Sequence, residues 1–108
     1  MSDSVLQQID EAVKNNDVVL FMKGTPEFPQ CGFSQRVAAI LAEYGIPYVS
    51  VNILLNEAVR QGIKDYSDWP TIPQLYVKSE FIGGCDIVSE MHASGELKEL
   101  LASLKKEA

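Results

Sequence analysis

A run of five apolar residues, Val18–Met22, constrains the fold of this chain more than any other feature of its sequence. Polar residues 15–17 precede the run, and residues 23–30, which contain a glycine and two prolines, follow it, so the run has the length of a strand. Because no polar residue alternates with the apolar ones, we expect both faces of this strand to be buried. The sequence therefore predicts a central, parallel strand.

Apolar residues at helical spacing predict helices on both sides of this strand. Ser4 is a candidate cap for a first helix with one apolar stripe. After Cys31, a second helix is predicted to end at Gly45, which suits a left-handed cap. Its apolar face is formed by Val37, Ile40, Leu41 and Tyr44. This spacing puts Cys31 in the first turn of the second helix.

The second half of the chain predicts the remaining elements. β-Branched residues and alternation predict a strand over residues 47–53, and Asn56 is a candidate cap for the next helix. Two short apolar runs around Lys78-Ser79 predict a β-hairpin of residues 74–77 and 80–83. Asp86 is a candidate cap for a helix beginning at Ile87, and an amphipathic helix closes the chain. This order predicts an α/β fold with a four-stranded mixed sheet and helices on both faces.

Length and composition predict one small domain over residues 1–108, because the chain is 46% hydrophobic and long enough to bury a core. Its two cysteines, Cys31 and Cys85, are too few for a secreted disulfide scaffold and lack the spacing of a zinc site. The net charge of -6 argues against non-specific binding to nucleic acid or anionic lipid. With no membrane span and no basic leader at the N-terminus, we expect a cytoplasmic protein.

Cys31 is the candidate reactive residue. A thiol at a helix start is stabilised as a thiolate by the unpaired N–H groups and by the positive end of the helix dipole. Three residues later, where a dithiol motif has its second cysteine, the chain has Ser34. Because a hydroxyl cannot resolve a mixed disulfide, the sequence predicts one-thiol chemistry that an outside thiol or a metal must complete.

Four segments resemble the monothiol glutaredoxins of the CGFS class, and they stand in that family's order: residues 21–26 (Phe-Met-Lys-Gly-Thr-Pro), 30–34 (Gln-Cys-Gly-Phe-Ser), 69–74 (Trp-Pro-Thr-Ile-Pro-Gln) and 83–86 (Gly-Gly-Cys-Asp). Four spaced motifs are more specific than the Cys-Gly-Phe-Ser motif alone. The resemblance covers nearly the whole chain and implies a thioredoxin-like fold.

Two cations are candidates for binding an anion beside the thiol. Lys23 ends the central strand, so its ammonium can neutralise a thiolate or a bound carboxylate, although most such lysines are only solvated. Arg60 would ordinarily occupy the polar face of its helix, and only the resemblance implies a contact with a carboxylate of glutathione.

The resemblance implies further glutathione contacts. It implies that Pro73 is cis, which would turn the backbone of Thr71 and Ile72 toward the thiol, whereas an ordinary turn proline is the alternative. Asp86 is either a helix cap or a contact for the γ-glutamyl end of glutathione. Cys85, which the resemblance places among the glutathione-binding residues, either packs or forms an occasional disulfide with Cys31.

The resemblance also implies a function. Two protomers, each with Cys31 and one glutathione, would supply the four thiolates of a [2Fe-2S] cluster. We therefore expect a cluster carrier that forms a cluster-bridged homodimer, pairs with BolA-like proteins and delivers clusters to iron–sulfur acceptor proteins. The leading alternative is a glutathione-dependent reductase of protein–glutathione mixed disulfides with Cys31 as nucleophile. A redox sensor based on a Cys31–Cys85 disulfide is a third hypothesis.

Overall fold

A four-stranded mixed sheet forms the centre of the protein. The computed structural model describes residues 2–105, with the backbone alone given for residues 2, 3, 103 and 105. The strands are β1 (Val18–Met22), β2 (Val49–Asn52), β3 (Gln74–Val77) and β4 (Glu80–Gly83). Their order across the sheet is β2-β1-β3-β4, with β1 parallel to β2, antiparallel to β3, and β3 antiparallel to β4. The predicted four-stranded mixed sheet is confirmed.

Helices cover both faces of this sheet. They are α1 (Ser2–Asn15), α2 (Gly32–Tyr44), α3 (Glu57–Ser67), α4 (Cys85–Ser94) and α5 (Glu96–Lys105), with a short 3₁₀ turn at Ile53–Leu55. Val19 and Phe21 of β1 pack with side chains of α1 and α3 on one face. Val18, Leu20 and Met22 pack with α2, α4 and α5 on the other. Alternate side chains of β1 thus enter two separate cores, which is why the strand contains no polar residue.

Several predicted element ends are confirmed. Gly45 adopts a left-handed conformation with φ 64° at the end of α2. The Asn56 side chain accepts hydrogen bonds from the N–H groups of Ala58 and Val59 and so caps α3. Lys78 and Ser79 both have positive φ, 51° and 70°. A two-residue hairpin turn whose twist matches the right-handed twist of the strands requires this conformation at both residues.

Other ends differ from the sequence expectation. The first helix begins at Ser2, so Ser4 lies inside it rather than at its cap, because Asp and Ser suit a first turn as well as a cap position. Strand β2 covers only residues 49–52 of the predicted 47–53. Pro47 has no N–H for strand pairing, and the Asn52 side chain accepts the N–H of Leu54, which turns the chain into the 3₁₀ segment.

Two helix starts near the predicted site are also corrected. Cys31 is the cap residue before α2, not part of its first turn, because its backbone is extended (φ -153°, ψ 135°) and its carbonyl accepts the N–H of Gln35 at 2.9 Å. Helix α4 begins at Cys85, two residues before Ile87, because the Gly84 carbonyl already accepts the N–H of Val88. Asp86 therefore lies in the first turn of α4 and is not its cap.

His92 joins two helices. Its Nδ1 lies 2.6 Å from the Tyr44 hydroxyl, and its Nε2 lies 3.8 Å from a carboxylate oxygen of Glu43. These contacts connect α4 with α2. Within residues 2–105, no helix has the length and apolar character needed to cross a membrane. The predicted domain of residues 1–108 includes residues 1 and 106–108, which lie outside the described residues.

Candidate functional site

All of the candidate site residues line one cleft of about 490 Å³ at the ends of the strands. This volume is within the usual range for a small-molecule site. The cleft is lined by Lys23, Cys31, Phe33, Arg60, Lys64, Trp69, Pro70, Thr71, Ile72, Pro73, Gly84, Cys85, Asp86 and Ile87. Segments that are far apart in sequence meet there because β1 and β3 are neighbours in the sheet and because α2, α3 and α4 begin or pass beside their ends.

The loop between β1 and Cys31 is held by backbone contacts that only glycine permits. Gly24 has φ +90°, and a Cβ at this position would lie 2.5 Å from the carbonyl oxygen of Phe28. The Gln30 N–H donates to the Lys23 carbonyl at 2.9 Å, and the Gly24 N–H donates to the Asn52 side chain at 3.0 Å. The loop is therefore folded back on itself, and its fixed conformation determines the position of Cys31 at the start of α2.

Cys31 is activated by the start of the helix. Within residues 2–105 its side chain forms no regular capping hydrogen bond. The backbone N–H of Ser34 is nevertheless the main influence that lowers its pKa below the ordinary thiol value. The N–H of Phe33, the charge of Lys23 and the Ser34 hydroxyl act in the same direction, while partial burial opposes them. The site thus favours a thiolate, as the sequence predicted.

Ser34 occupies the position of a missing second cysteine. Its side chain is completely buried, and its hydroxyl accepts the backbone N–H of Lys23 at 3.0 Å. The hydroxyl thus connects α2 to the end of β1 and supports the thiolate at the same time. No disulfide can form between residues 31 and 34, and the thiolate is left for an outside reactant.

The segment before β3 lines the cleft with Thr71, Ile72 and Pro73. The Ile72–Pro73 peptide bond is cis, as the family resemblance implied. The Gln74 side chain lies behind this segment and donates from Nε2 to the carbonyl oxygens of Trp69 and Thr71, each at 3.2 Å.

The cleft is locally positive in an otherwise acidic protein. Lys23, Arg60 and Lys64 contribute three cations to its lining, and Asp86 is the one acidic residue among the lining residues that the structure describes. The Arg60 guanidinium is paired with Glu57 on the preceding turn of α3, with Nη1 3.4 Å from a carboxylate oxygen. This pair is exposed, so an incoming carboxylate can compete for Arg60.

Both cysteines are free and partly exposed, and both line the cleft. Cys85 begins α4, packs partly against the core, and has its sulfur 4.0 Å from the Ser89 hydroxyl. Within the described residues, no group of three or more His, Cys, Asp or Glu side chains is arranged to hold a metal ion.

Comparison with known proteins identifies the family. The glutaredoxin family model matches residues 18–82. The chain belongs to the glutaredoxin family. A monothiol glutaredoxin 2 of Rickettsia typhi is 50% identical over 101 residues, which cover 94% of this chain and 91% of that protein. The chloroplastic monothiol glutaredoxin-S7 of rice is 55% identical over 93 residues, 86% of this chain; the match spans only 55% of the rice protein.

Solved structures support the same assignment. The solution structure of reduced poplar apo GrxS14 matches with a TM-score of 0.78 and 57% identity over 90% of this chain and 89% of that one. A crystal structure of a buckwheat glutaredoxin–glutathione complex matches with a TM-score of 0.83 and 26% identity, covering 94% and 91% of the two chains. The thioredoxin-like fold expected from the sequence is confirmed, and the relatives near 50% identity are monothiol glutaredoxins.

Several residues of the cleft of this glutaredoxin were not predicted as site residues from the sequence. Lys64 lies one helical turn after Arg60, and this i, i+4 spacing was the available signal that both cations share one face of α3. Phe33 and Trp69 also line the cleft and are 62% and 41% exposed. Large apolar side chains exposed beside a polar site are signals that only the folded surface reveals.

Proposed function

We propose that this glutaredoxin holds one glutathione in the cleft beside Cys31 and that two such protomers carry a [2Fe-2S] cluster to acceptor proteins. The observation that carries the proposal is a single activated thiolate in a cleft that three cations also line, with a buried serine where a second thiol would stand. Such a site cannot form the disulfide between residues 31 and 34 on which a Cys-x-x-Cys cycle depends. It is suited to an anionic molecule that brings its own sulfur.

Glutathione matches the chemistry of the cleft. It is an extended tripeptide with two carboxylates and one thiol, and the cleft offers three cations together with residues 71–73 in its lining. The buckwheat relative was crystallised as a glutaredoxin–glutathione complex. Charge-assisted hydrogen bonds from Lys23 and Arg60 would neutralise one carboxylate, and Lys64 adds a third positive charge beside them.

The remaining contacts would orient the tripeptide. The backbone of Thr71 and Ile72, turned by Pro73, would pair with the peptide groups of glutathione. Asp86 and the N–H groups at the start of α4 would bind its charged γ-glutamyl end, and Cys85 would pack against it. The thiol of glutathione would then lie beside the Cys31 sulfur.

The cluster is the cargo in this proposal. Two Cys31 thiolates and two glutathione thiolates supply four sulfur ligands, which fits a chain whose described residues contain no three-ligand metal group. Because these ligands come from four molecules, an incoming cysteine can displace them more easily than it could displace an all-protein cage. A BolA-like protein would replace the share of one protomer in a heterodimer. We further propose that residues 1–108 act as one glutaredoxin domain, and a cytoplasmic location stays a prediction.

The alternative function is a reductase, and the lowered pKa of Cys31 favours it. The Cys31 thiolate would attack the glutathione sulfur of a protein–glutathione disulfide and release the protein thiol. A second glutathione would then reduce the Cys31–glutathione disulfide and leave as glutathione disulfide. This cycle uses the same cleft but requires no metal and no dimer.

Anaerobic reconstitution with iron, sulfide and glutathione separates the two functions. A carrier should give a coloured dimer with the mass of two chains, two glutathiones and one cluster. Cys31→Ser should abolish the cluster spectrum, whereas Cys85→Ser should leave it largely intact. Lys23→Ala or Arg60→Ala should weaken glutathione binding by about 1 to 3 kcal/mol, the range for hydrogen bonds to charged groups, with a native circular dichroism spectrum.

Dithiothreitol provides the decisive control for the role of glutathione. If it replaces glutathione with equal yield and lifetime of the coloured dimer, the cleft does not hold the cluster through a bound tripeptide. If the wild-type protein forms no coloured dimer but reduces mixed disulfides, the reductase is the function.

A further inference from the structure

Gln74 is a buried polar residue directly behind the cleft. It begins β3, and its side chain has no exposed surface. Among the residues whose side chains the structure describes, only Ser34 and Gln74 are buried polar residues. Burying an amide is unfavourable unless its donors and acceptors are paired, so the partners of Gln74 indicate what the side chain does.

The Gln74 amide is held in one orientation by three hydrogen bonds. Its Nε2 donates to the carbonyl oxygens of Trp69 and Thr71 at 3.2 Å, and its Oε1 accepts the Tyr76 hydroxyl at 3.1 Å. A reversed amide would place Oε1 against two carbonyl oxygens. All polar atoms of this side chain are thus engaged, and two of the three bonds end on the segment that lines the cleft.

These bonds determine which way the next N–H points. The Thr71 carbonyl is directed toward Gln74, in the protein interior. The described cis bond in this segment joins Ile72 and Pro73, so the Thr71–Ile72 bond is trans, and in a planar trans peptide the N–H points opposite to the carbonyl. The Ile72 N–H is therefore directed away from Gln74, and both Thr71 and Ile72 line the cleft.

The Ile72 N–H is available for a ligand. Within residues 2–105 it has no backbone hydrogen-bond partner, and Pro73, the next residue, has no N–H at all. It is the last main-chain donor before β3. A peptide lying in the cleft beside Cys31 could accept this bond through one of its carbonyl oxygens.

We propose that Gln74 is a positioning residue for glutathione: it fixes the Thr71–Ile72 peptide plane so that the Ile72 N–H donates to the backbone of the bound tripeptide. The inference rests on the proposed binding of glutathione in the cleft. It assigns the contact to the peptide part of the ligand, so a thiol without a peptide group gains nothing from Gln74.

Exchange with two disulfides tests this assignment. The Cys31 thiolate attacks glutathione disulfide or hydroxyethyl disulfide, forms a mixed disulfide and releases one thiol, so the two equilibria differ only in the group attached to sulfur. The modification is read on the Cys31 peptide by mass spectrometry. In Gln74→Met, which keeps the side-chain length and removes both donors, the preference for glutathione should fall about 3- to 10-fold, the equivalent of one neutral hydrogen bond.

Tyr76→Phe is the matched control. It removes the third bond of the amide and lowers stability, but it leaves both Nε2 bonds to the cleft segment in place. Its preference for glutathione should stay within about 2-fold of wild type, since less than about 0.5 kcal/mol is then involved. An equal loss of preference in both variants, or no loss in Gln74→Met, would overturn the proposal.

Titration of the ¹⁵N-labelled wild-type protein with reduced glutathione keeps the test decisive if Gln74→Met does not fold. The Ile72 amide resonance should shift together with those of the cleft. If cleft residues respond and Ile72 does not, the role of Gln74 is wrong while glutathione binding stands. If no residue responds at millimolar glutathione, the proposed function itself fails.

Discussion

Replacing Ser34 with alanine tests how the helix start activates Cys31. The substitution removes one buried hydroxyl, which accepts the Lys23 N–H at 3.0 Å and also supports the thiolate. It keeps the backbone N–H of residue 34, which is the largest influence on the Cys31 pKa. The effects of the hydroxyl and of the N–H on the Cys31 pKa can therefore be distinguished by one substitution.

The expected loss of stability follows from the unpaired donor. Without the hydroxyl, the partly buried Lys23 N–H has lost its partner, and leaving such a group unsatisfied costs about 1 to 3 kcal/mol. For a domain of this size, each kcal/mol lowers the melting temperature by about 4 to 8 °C. The Cys31 pKa should rise only part of the way toward the ordinary thiol value, because the N–H groups of Ser34 and Phe33 and the Lys23 charge remain.

Thermal unfolding and the pH dependence of Cys31 alkylation by iodoacetamide measure the two effects. The lowered pKa of wild-type Cys31 keeps the thiolate populated at lower pH, so in Ser34→Ala the rate profile should move to higher pH. Ser89→Ala is the matched control, since the partly buried Ser89 hydroxyl contacts only the Arg36 and Cys85 side chains and accepts from no backbone N–H in the described chain. It should change stability by less than about 0.5 kcal/mol.

Two results would contradict this reasoning. A melting temperature equal to that of wild type would mean that the Ser34 hydroxyl is not needed to pair the Lys23 N–H. A Cys31 pKa that returns fully to the ordinary thiol value would mean that the hydroxyl, rather than the backbone N–H of residue 34, activates the thiol.

Three further substitutions have expected outcomes. Ser34→Cys should permit an internal disulfide, seen as two fewer titratable thiols after oxidation, and should raise the reduction of small disulfides; an unchanged thiol count would mean that residue 34 cannot reach Cys31. Glu57→Gln should tighten glutathione binding by up to about 1 kcal/mol in calorimetry, because it releases Arg60 from an exposed ion pair, whereas Asp65→Asn on the same helix should not. Gly24→Ala should destabilise the protein by at least about 1 to 3 kcal/mol in urea unfolding, since its Cβ would lie 2.5 Å from a backbone carbonyl oxygen at φ +90°; a native midpoint would refute the close packing of this loop.

Local signals were sufficient to predict the elements of the fold. The unbroken apolar run of β1 predicted burial on both faces, and Asn56 and Gly45 marked the start of α3 and the end of α2 where the structure has them. These features depend on side chains and backbone preferences a few residues apart, so a sequence contains them directly. Among the ends that were wrong, those at Ser4 and Asp86 are positions where several neighbouring residues can serve as a cap.

The chemistry of Cys31 could also be predicted in outline from the sequence. A thiol at a helix start, with Ser34 three residues later, excludes a disulfide between residues 31 and 34 and indicates a thiolate. The role given to Lys23 followed from its position at the end of the central strand. The role given to Arg60 depended on a family resemblance, because a charged residue on a helix face has no local feature that distinguishes a ligand contact from a solvated surface.

Only the tertiary structure decided how these parts form a cleft. The side-by-side arrangement of β1 and β3 brings the loop after Lys23 next to residues 71–73, and the packing of α3 adds Lys64 to the same wall. The inward orientation of Gln74 likewise depends on carbonyl groups of a segment whose path the preceding helix and the cis peptide bond set. Such contacts join residues that are distant in sequence. The burial and the orientation of a polar side chain are therefore set only when the chain has folded around it.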